Sequence, residues 1–427
     1  MKVNFNVIFF AILMAFIPRF PPLFFWSKTV FLPVMILALT SLLYIIVKRR
    51  IMINLEVFVI YVSYSIFLFN YLWGNRELNL SVFVLFTLLV FFLLGMGWIR
   101  LFVEFFFFRK HSTLTAIIVL FFFSIIPISI VFQFLYPQVF SVYKLIVVYP
   151  DNFIELNEVG GRYSGLMDAT GTSGSVIISI LFLFSFVYIC SLNCFKGFVF
   201  PVFLVFYFSF LLLASFLTGF SGNVILFLFF LFFCFFSAKN KLSFIFFTLP
   251  LTLVVIFFLM LIMSLFFSST ALTYFNVLYY QGFEAFLNLG SMKVLLSFYD
   301  VASYNLQAAL ELGGWLGNPE AKSFIQFTDI GYINMINVYG LVGFLNFYAL
   351  IFLLIFINAY QCFKSESLLL IVLNCALLSL LFSIIILQFK ELFYFSSSLF
   401  VVVCFLISVK FFAARNINNY NFLSTSD

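Results

Sequence analysis

Residues 114–136 read LTAIIVLFFFSIIPISIVFQFLY, without one charged side chain. An apolar run of about twenty residues is long enough, as a helix, to cross the hydrocarbon core of a bilayer. Runs of this kind recur along the whole chain, over approximately 3–18, 29–47, 54–73, 79–99, 114–136, 175–195, 198–218, 222–237, 242–267, 329–358, 367–388 and 392–411. Of the 427 residues, 65% are apolar and 8% charged, and mean hydropathy is +1.24. A soluble domain carries about 25% charged residues. A membrane β-barrel would show strands of about ten residues with polar lumen positions alternating, and these runs are continuous instead. The expected fold class is therefore all-α: a polytopic membrane protein of about twelve transmembrane helices, forming a single integral membrane domain over residues 1–427. The first run ends at Ile17-Pro18-Arg19, which lacks the small residues of a signal-peptidase site, so it is expected to remain as an anchor.

Charge sets the expected orientation. With the N-terminus in the cytoplasm, 13 of the 21 Lys and Arg residues fall on the inner side, including Lys48-Arg49-Arg50, Arg109-Lys110 and Lys410. Basic residues retained inside are the usual determinant of topology. The even number of spans returns the C-terminus to the cytoplasm. The excess positive charge is thus a topology signal, and no basic patch interleaved with aromatics points to nucleic acid. The six cysteines lie in or beside apolar runs, and the single histidine, His111, falls in an inner turn and is expected to be solvated. No cluster of His, Cys and acids has metal-ligand spacing, so neither metal nor cofactor is expected. The 73 phenylalanines, with Phe105 to Phe108 as an example, read as lipid-facing filler. Glu56 and Glu104 fall near span ends, where a charge costs little.

Two connections are long, 137–174 and 268–328, and both fall on the outer side. Long loops in compact proteins usually carry function. Within the second, Met292 to Leu312 has the pattern of an amphipathic surface helix, ended by Gly313, Gly314 and Gly317, with Trp315 suited to the interfacial belt. Asp329 falls at the start of the next span, where it favours the helix dipole. Gly340 and Gly343 in that span are expected to permit close helix packing.

The densest polar run is Gly160-Gly161-Arg162-Tyr163-Ser164-Gly165-Leu166-Met167-Asp168-Ala169-Thr170-Gly171-Thr172-Ser173-Gly174. It leads directly into the sixth span. A guanidinium fork binds a phosphate through parallel hydrogen bonds, and a glycine- and hydroxyl-rich helix start offers free N–H groups to an anion. The run has the makings of a diphosphate cradle at the membrane edge.

The stretch Arg162-Tyr-Ser-Gly-Leu-Met-Asp168 resembles the Arg-x-x-Gly-Leu-x-x-Asp pattern of O-antigen polymerases. Asp329-Ile-Gly-Tyr332, followed by Tyr339-Gly-Leu-Val-Gly343, resembles the segment that opens the span after that family's second large loop. The layout of spans and outer loops is similar over the whole chain. The resemblance implies a glycosyltransferase of the GT-C-like architecture that joins undecaprenyl-diphosphate-linked repeat units at the periplasmic face of a bacterial inner membrane. It also implies a chain-length-regulating partner. On this reading Arg162 meets the departing diphosphate, and Asp168 or Glu158 takes the acceptor's proton. Tyr163, Gly165, Thr170, Gly171, Thr172, Ser173, Gly174, Lys293, Lys322, Asp329 and Tyr332 are candidate substrate contacts. The second loop has no arginine, and its bases are Lys293 and Lys322. Competing readings are an O-antigen ligase, which the resemblance would give a histidine in the large outer loop, and a lipid-linked oligosaccharide flippase.

Overall fold

The computed structural model of the chain describes residues 5–18, 20–21, 23, 31–73, 80–109, 111–149, 154, 163–167, 171–191, 199–218, 221–237, 307, 310–311, 314–317, 331–387 and 398–424. Its helices are α1 (Phe5–Phe16), α2 (Leu32–Lys48), α3 (Leu55–Trp73), α4 (Leu80–Leu94), α5 (Ile99–Val103), α6 (Thr113–Leu135), α7 (Val139–Ile146), α8 (Gly171–Ser191), α9 (Val199–Thr218), α10 (Ser221–Ser237), α11 (Gly331–Lys364), α12 (Leu368–Leu387) and α13 (Ser398–Ser424). No strand occurs among the described residues, only an isolated antiparallel bridge between Leu23 and Val147. Most of the expected spans overlap a helix, but two bounds differ: the span expected over 329–358 is a helix to Lys364, the one expected over 392–411 is a helix over Ser398–Ser424, and 242–267 lies outside the described residues. Six helices among the described residues are long and apolar enough to cross a membrane, or seven if the bent pair Val82–Leu94 and Met96–Phe108 is one span. The protein is membrane-embedded and helical.

The inner turn expected after the fourth span is itself helical. A 3-10 turn (Met96–Trp98), α5 and a π turn (Glu104–Phe108) follow one another up to Arg109. This corrects the reading of the phenylalanine run. Phe106 and Phe107 are buried, and the Phe106 ring meets that of Tyr188 at 4.6 Å. His111 is corrected with them: it is buried, and its Nε2 lies 3.1 Å from the Phe106 carbonyl. Burial disfavours the imidazolium and holds the His111 pKa below its ordinary value.

The chain forms two compact units. The first is built from α1, the π turn, α6 to α10 and the start of α12. Here α6 is the central element, packed by α1, α8 and α9. Its first turn is capped by Ser112 Oγ, which accepts from the Thr115 N–H at 3.2 Å. The second unit is built from α2 to α4, α11, α13 and the rest of α12. Phe86 is fully buried in it and meets Tyr64, Phe67 and Phe400, each at an edge-to-face angle. Phenylalanine is core material here as well as lipid-facing surface.

The second unit also holds a buried ion pair, between Lys410 of α13 and Glu56 of α3, whose side chains are 5% and 3% exposed. The ammonium donates further to Asn358 Oδ1 at 2.6 Å and to Gln361 Oε1 at 2.6 Å, both on α11. Three donors thus meet three acceptors, and three helices are tied at one point. Glu56 is therefore not a cheap charge at a span end, and Lys410 is not an inner-loop charge. A charge removed from water this fully persists because it is paired.

Two outcomes follow. Lys410→Met leaves the Glu56 carboxylate buried without a counter-charge and should destabilise the folded protein by about 3–5 kcal/mol, whereas adding Glu56→Gln should recover much of the loss. Melting of detergent-solubilised variants in a double-mutant cycle reads this. For His111 the unfolded chain takes up a proton as pH falls below about 6.5 while the folded chain resists it. Stability is then full above that pH and declines in acid, and His111→Gln should flatten that part of the stability profile.

Candidate functional site

The centre of the polar run, residues 163–167, is a tight turn seated on α6 within the first unit. The Met167 N–H donates to the Ser164 carbonyl at 3.0 Å and closes the turn. Gly165 sits inside it with φ +58, in the left-handed region. A Cβ at Gly165 would run into Ser129 Oγ and the Ile130 backbone, so both the dihedral and the space require glycine.

The backbone of this turn is met by α6 and by its neighbours. The Gly165 N–H donates to Gln133 Oε1 at 2.8 Å, and the Leu166 N–H donates to Ser129 Oγ at 3.0 Å. The Gly165 carbonyl accepts from the Tyr149 hydroxyl. The Tyr163 N–H donates to the carbonyl of Leu217, near the end of α9, at 3.0 Å. Tyr143 of α7 donates to the Ser129 carbonyl at 3.2 Å, and burial raises the pKa of its phenol, which keeps the proton in place. Gln133 and Ser129 are buried polar residues on an apolar helix. Their function is explained by the turn they receive, since an unmet backbone group in such surroundings costs heavily.

Apolar packing completes the seat. Met167 joins Ile126, Ile130, Ile177 and Leu217 in one buried cluster, with Tyr163 partly buried against it. The Tyr163 ring stands edge-on to Phe134 at 5.1 Å. Shortly afterwards α8 begins at Gly171, so Gly171, Thr172 and Ser173 supply N–H groups of its first turn that have no acceptor within the helix.

The candidate residues therefore separate into groups. Tyr163 and Gly165 belong to the seated turn, with Gly165 buried in it. Gly171, Thr172, Ser173 and Gly174 form the opening turn of α8. Tyr332, half-buried, stands at the start of α11 in the second unit. Arg162, Asp168, Glu158, Thr170, Lys293, Lys322 and Asp329 lie outside the described residues, as does most of the expected amphipathic helix Met292 to Leu312. Sequence reasoning missed Gln133, Ser129 and Tyr149. A glutamine and a serine four apart on one face of an apolar span were the available signal.

The second motif also departs from expectation. α11 is not one continuous span: it is broken at Gly340, whose φ of 68 and ψ of −178 fall in a region open only to glycine. The Leu341 and Val342 N–H groups, which an unbroken helix would give to the carbonyls one turn back, donate instead to the carbonyls of Gly314 and Trp315, each at 3.1 Å. The Tyr339 carbonyl accepts from Asn70 Nδ2 of α3 at 2.9 Å. A side chain at Gly340 would collide with the backbone of Trp315 and Gly317. Close packing at Gly340 is thus backbone against backbone at a helix break, and Trp315 beside it is exposed.

Compared with known protein families, curated proteins and solved structures, the chain gives no match.

The seat makes its own prediction. Gly165→Ala should be destabilising on both steric and dihedral grounds. Gln133→Leu should cost about 1–3 kcal/mol by leaving the Gly165 N–H unmet. Melting in detergent reads both, and a Gln133→Leu protein as stable as the parent would contradict this account of α6.

Proposed function

We propose that the chain is an O-antigen polymerase, a glycosyltransferase that joins undecaprenyl-diphosphate-linked repeat units. The observation that carries the reading is the seated turn Tyr163–Met167. It is the Gly-Leu centre of the polymerase-like motif, it is fixed by four hydrogen bonds to α6, α9 and Tyr149, and the chain begins α8 four residues after it. A site that must meet charge as it develops works best when its supports are rigid beforehand. Arg162 is bonded covalently to this fixed point.

In the reaction, a hydroxyl of the acceptor glycan attacks the anomeric carbon of the donor. The new glycosidic bond forms as the bond to the donor's diphosphate breaks. The electron pair leaves with the polyprenyl diphosphate, and the hydroxyl proton passes to a base, Asp168 or Glu158. Arg162 and the N–H groups of Gly171 to Ser173 meet the departing diphosphate. By the resemblance, Thr170, Thr172, Ser173 and Tyr163 of the same run are further candidate contacts for the donor. On this reading the chain crosses a bacterial inner membrane about twelve times with both termini in the cytoplasm. The two large loops are periplasmic, and a chain-length regulator is a partner.

A lipid-linked oligosaccharide flippase is the second reading, and the break at Gly340 favours it, because transporters build sites from discontinuous helices. A ligase is disfavoured by the burial of the sole histidine against Phe106.

Purified protein incubated with one lipid-linked repeat unit should give a ladder of products. Arg162→Ala should lower polymer yield by about 10²–10³-fold, and Arg162→Lys should not restore it, because lysine lacks the planar fork. Parental chain lengths from a well-expressed Arg162→Ala protein would refute the assignment. Transbilayer movement without elongation would favour the flippase.

A further inference from the structure

A cavity of about 360 Å³ in the second unit is lined by Arg50, Arg100 and Arg415. We propose that it binds a phosphate group, that of an anionic lipid headgroup, in a site separate from the motif that carries the polymerase reading and independent of that reading.

The three guanidinium groups come from three segments: the end of α2, α5, and α13. Arginine stays charged at any physiological pH. Three like charges on one cavity repel one another unless an anion joins them. No carboxylate lines the cavity. Among the described residues the two ion pairs lie elsewhere, Glu104 with Arg109 and Glu56 with Lys410. The volume falls at the lower end of the range for small-molecule sites, about 300–1,000 Å³, which suits a phosphate with a short polar substituent.

The remaining wall is suited to the same ligand. Tyr44 and Asn416 add a hydroxyl and an amide, and Met52 and Phe412 add apolar surface. Gly97 admits the Tyr44 ring, which any side chain there would overlap. Arg415 is steadied over the Phe411 ring at 4.7 Å. Arg50 reaches the cavity through a costly turn: Arg49 has φ +49, in a conformation that usually falls to glycine, while its N–H still closes α2 on the Ile45 carbonyl at 2.7 Å. The Met52 N–H then bonds the Leu94 carbonyl at 2.9 Å and fixes the chain beyond Arg50.

The surroundings favour a lipid as the source of the phosphate. Ile46, Val47, Ile51 and Ile53, on either side of Arg50, are all more than half exposed. An apolar surface next to a basic cavity accommodates acyl chains and a headgroup together, as basic pockets between membrane helices do.

The test uses the full-length protein in neutral detergent, with melting temperature followed on titration. One arm adds dioctanoyl phosphatidylglycerol, a second adds inorganic phosphate, and dioctanoyl phosphatidylcholine is the control. Phosphatidylglycerol should raise the melting temperature saturably, less so at high salt, and phosphatidylcholine should not. Arg50→Gln with Arg100→Gln should weaken half-saturation about tenfold for each arginine. Arg415→Gln alone, on an exposed side chain, should weaken it about tenfold and serves if the double variant does not fold. Saturation by inorganic phosphate at equal or lower concentration, lost in the same variants, supports a phosphate site whose ligand is soluble. No saturable response in either arm, an equal response to phosphatidylcholine, or a response unchanged in Arg415→Gln would overturn the proposal.

Discussion

In a membrane-embedded chain every backbone N–H and C=O must find a partner within the protein, because the surrounding hydrocarbon offers none. Continuous helices meet that demand by themselves. The informative places are those where the backbone leaves the helix. At the Tyr163–Met167 turn, Gln133, Ser129 and Tyr149 supply the missing partners. At the break in α11, Asn70 takes the Tyr339 carbonyl, and the 314–315 backbone takes the next two N–H groups. The two motifs that carry the polymerase resemblance are thus two places, among the described residues, where irregular backbone is supported by buried amides and hydroxyls. That support costs apolar packing and is retained where a fixed geometry is needed.

The Lys410–Glu56 pair obeys the same rule for charge. Its attraction is opposed by the desolvation of both ions, so its net contribution to stability is small compared with the cost of breaking it. Its effect is positional. With Asn358 and Gln361 it gives α3, α11 and α13 one register, because sliding any of these helices by a turn would leave an ion without its partner. The Asn346 amide, which donates to the Ser63 carbonyl at 2.9 Å, adds a second tie between α3 and α11.

Apolar run length was enough to find most of the long helices, since it is a property of single segments, whereas α5 and α7, too short to be read from it, were not. The run Arg162 to Gly174 was legible as a candidate because glycines and hydroxyls are conspicuous between apolar spans, and Trp315 was legible as an exposed aromatic. The supports of that run were not. Gln133 in isolation is only a polar residue in an apolar span, and nothing local says which backbone group it meets. Glu56 looked inexpensive because it stands near a span end, and Lys410 looked like a loop charge, yet they face one another across 354 positions of sequence. His111 looked solvated beside two basic residues until the π turn folded the Phe106 carbonyl onto it.

What the sequence determined by itself is the class: helices of bilayer length, their approximate limits, and a polar run before α8, because transfer of a segment from water to hydrocarbon depends on its own side chains. What the tertiary structure decided is the pairing: which carbonyl Asn70 meets, why Gly165 and Gly340 admit no side chain, and that Arg50, Arg100 and Arg415 share one cavity. Those are relations between distant segments, and their energies exist only once packing brings the partners within reach of a hydrogen bond or a charge.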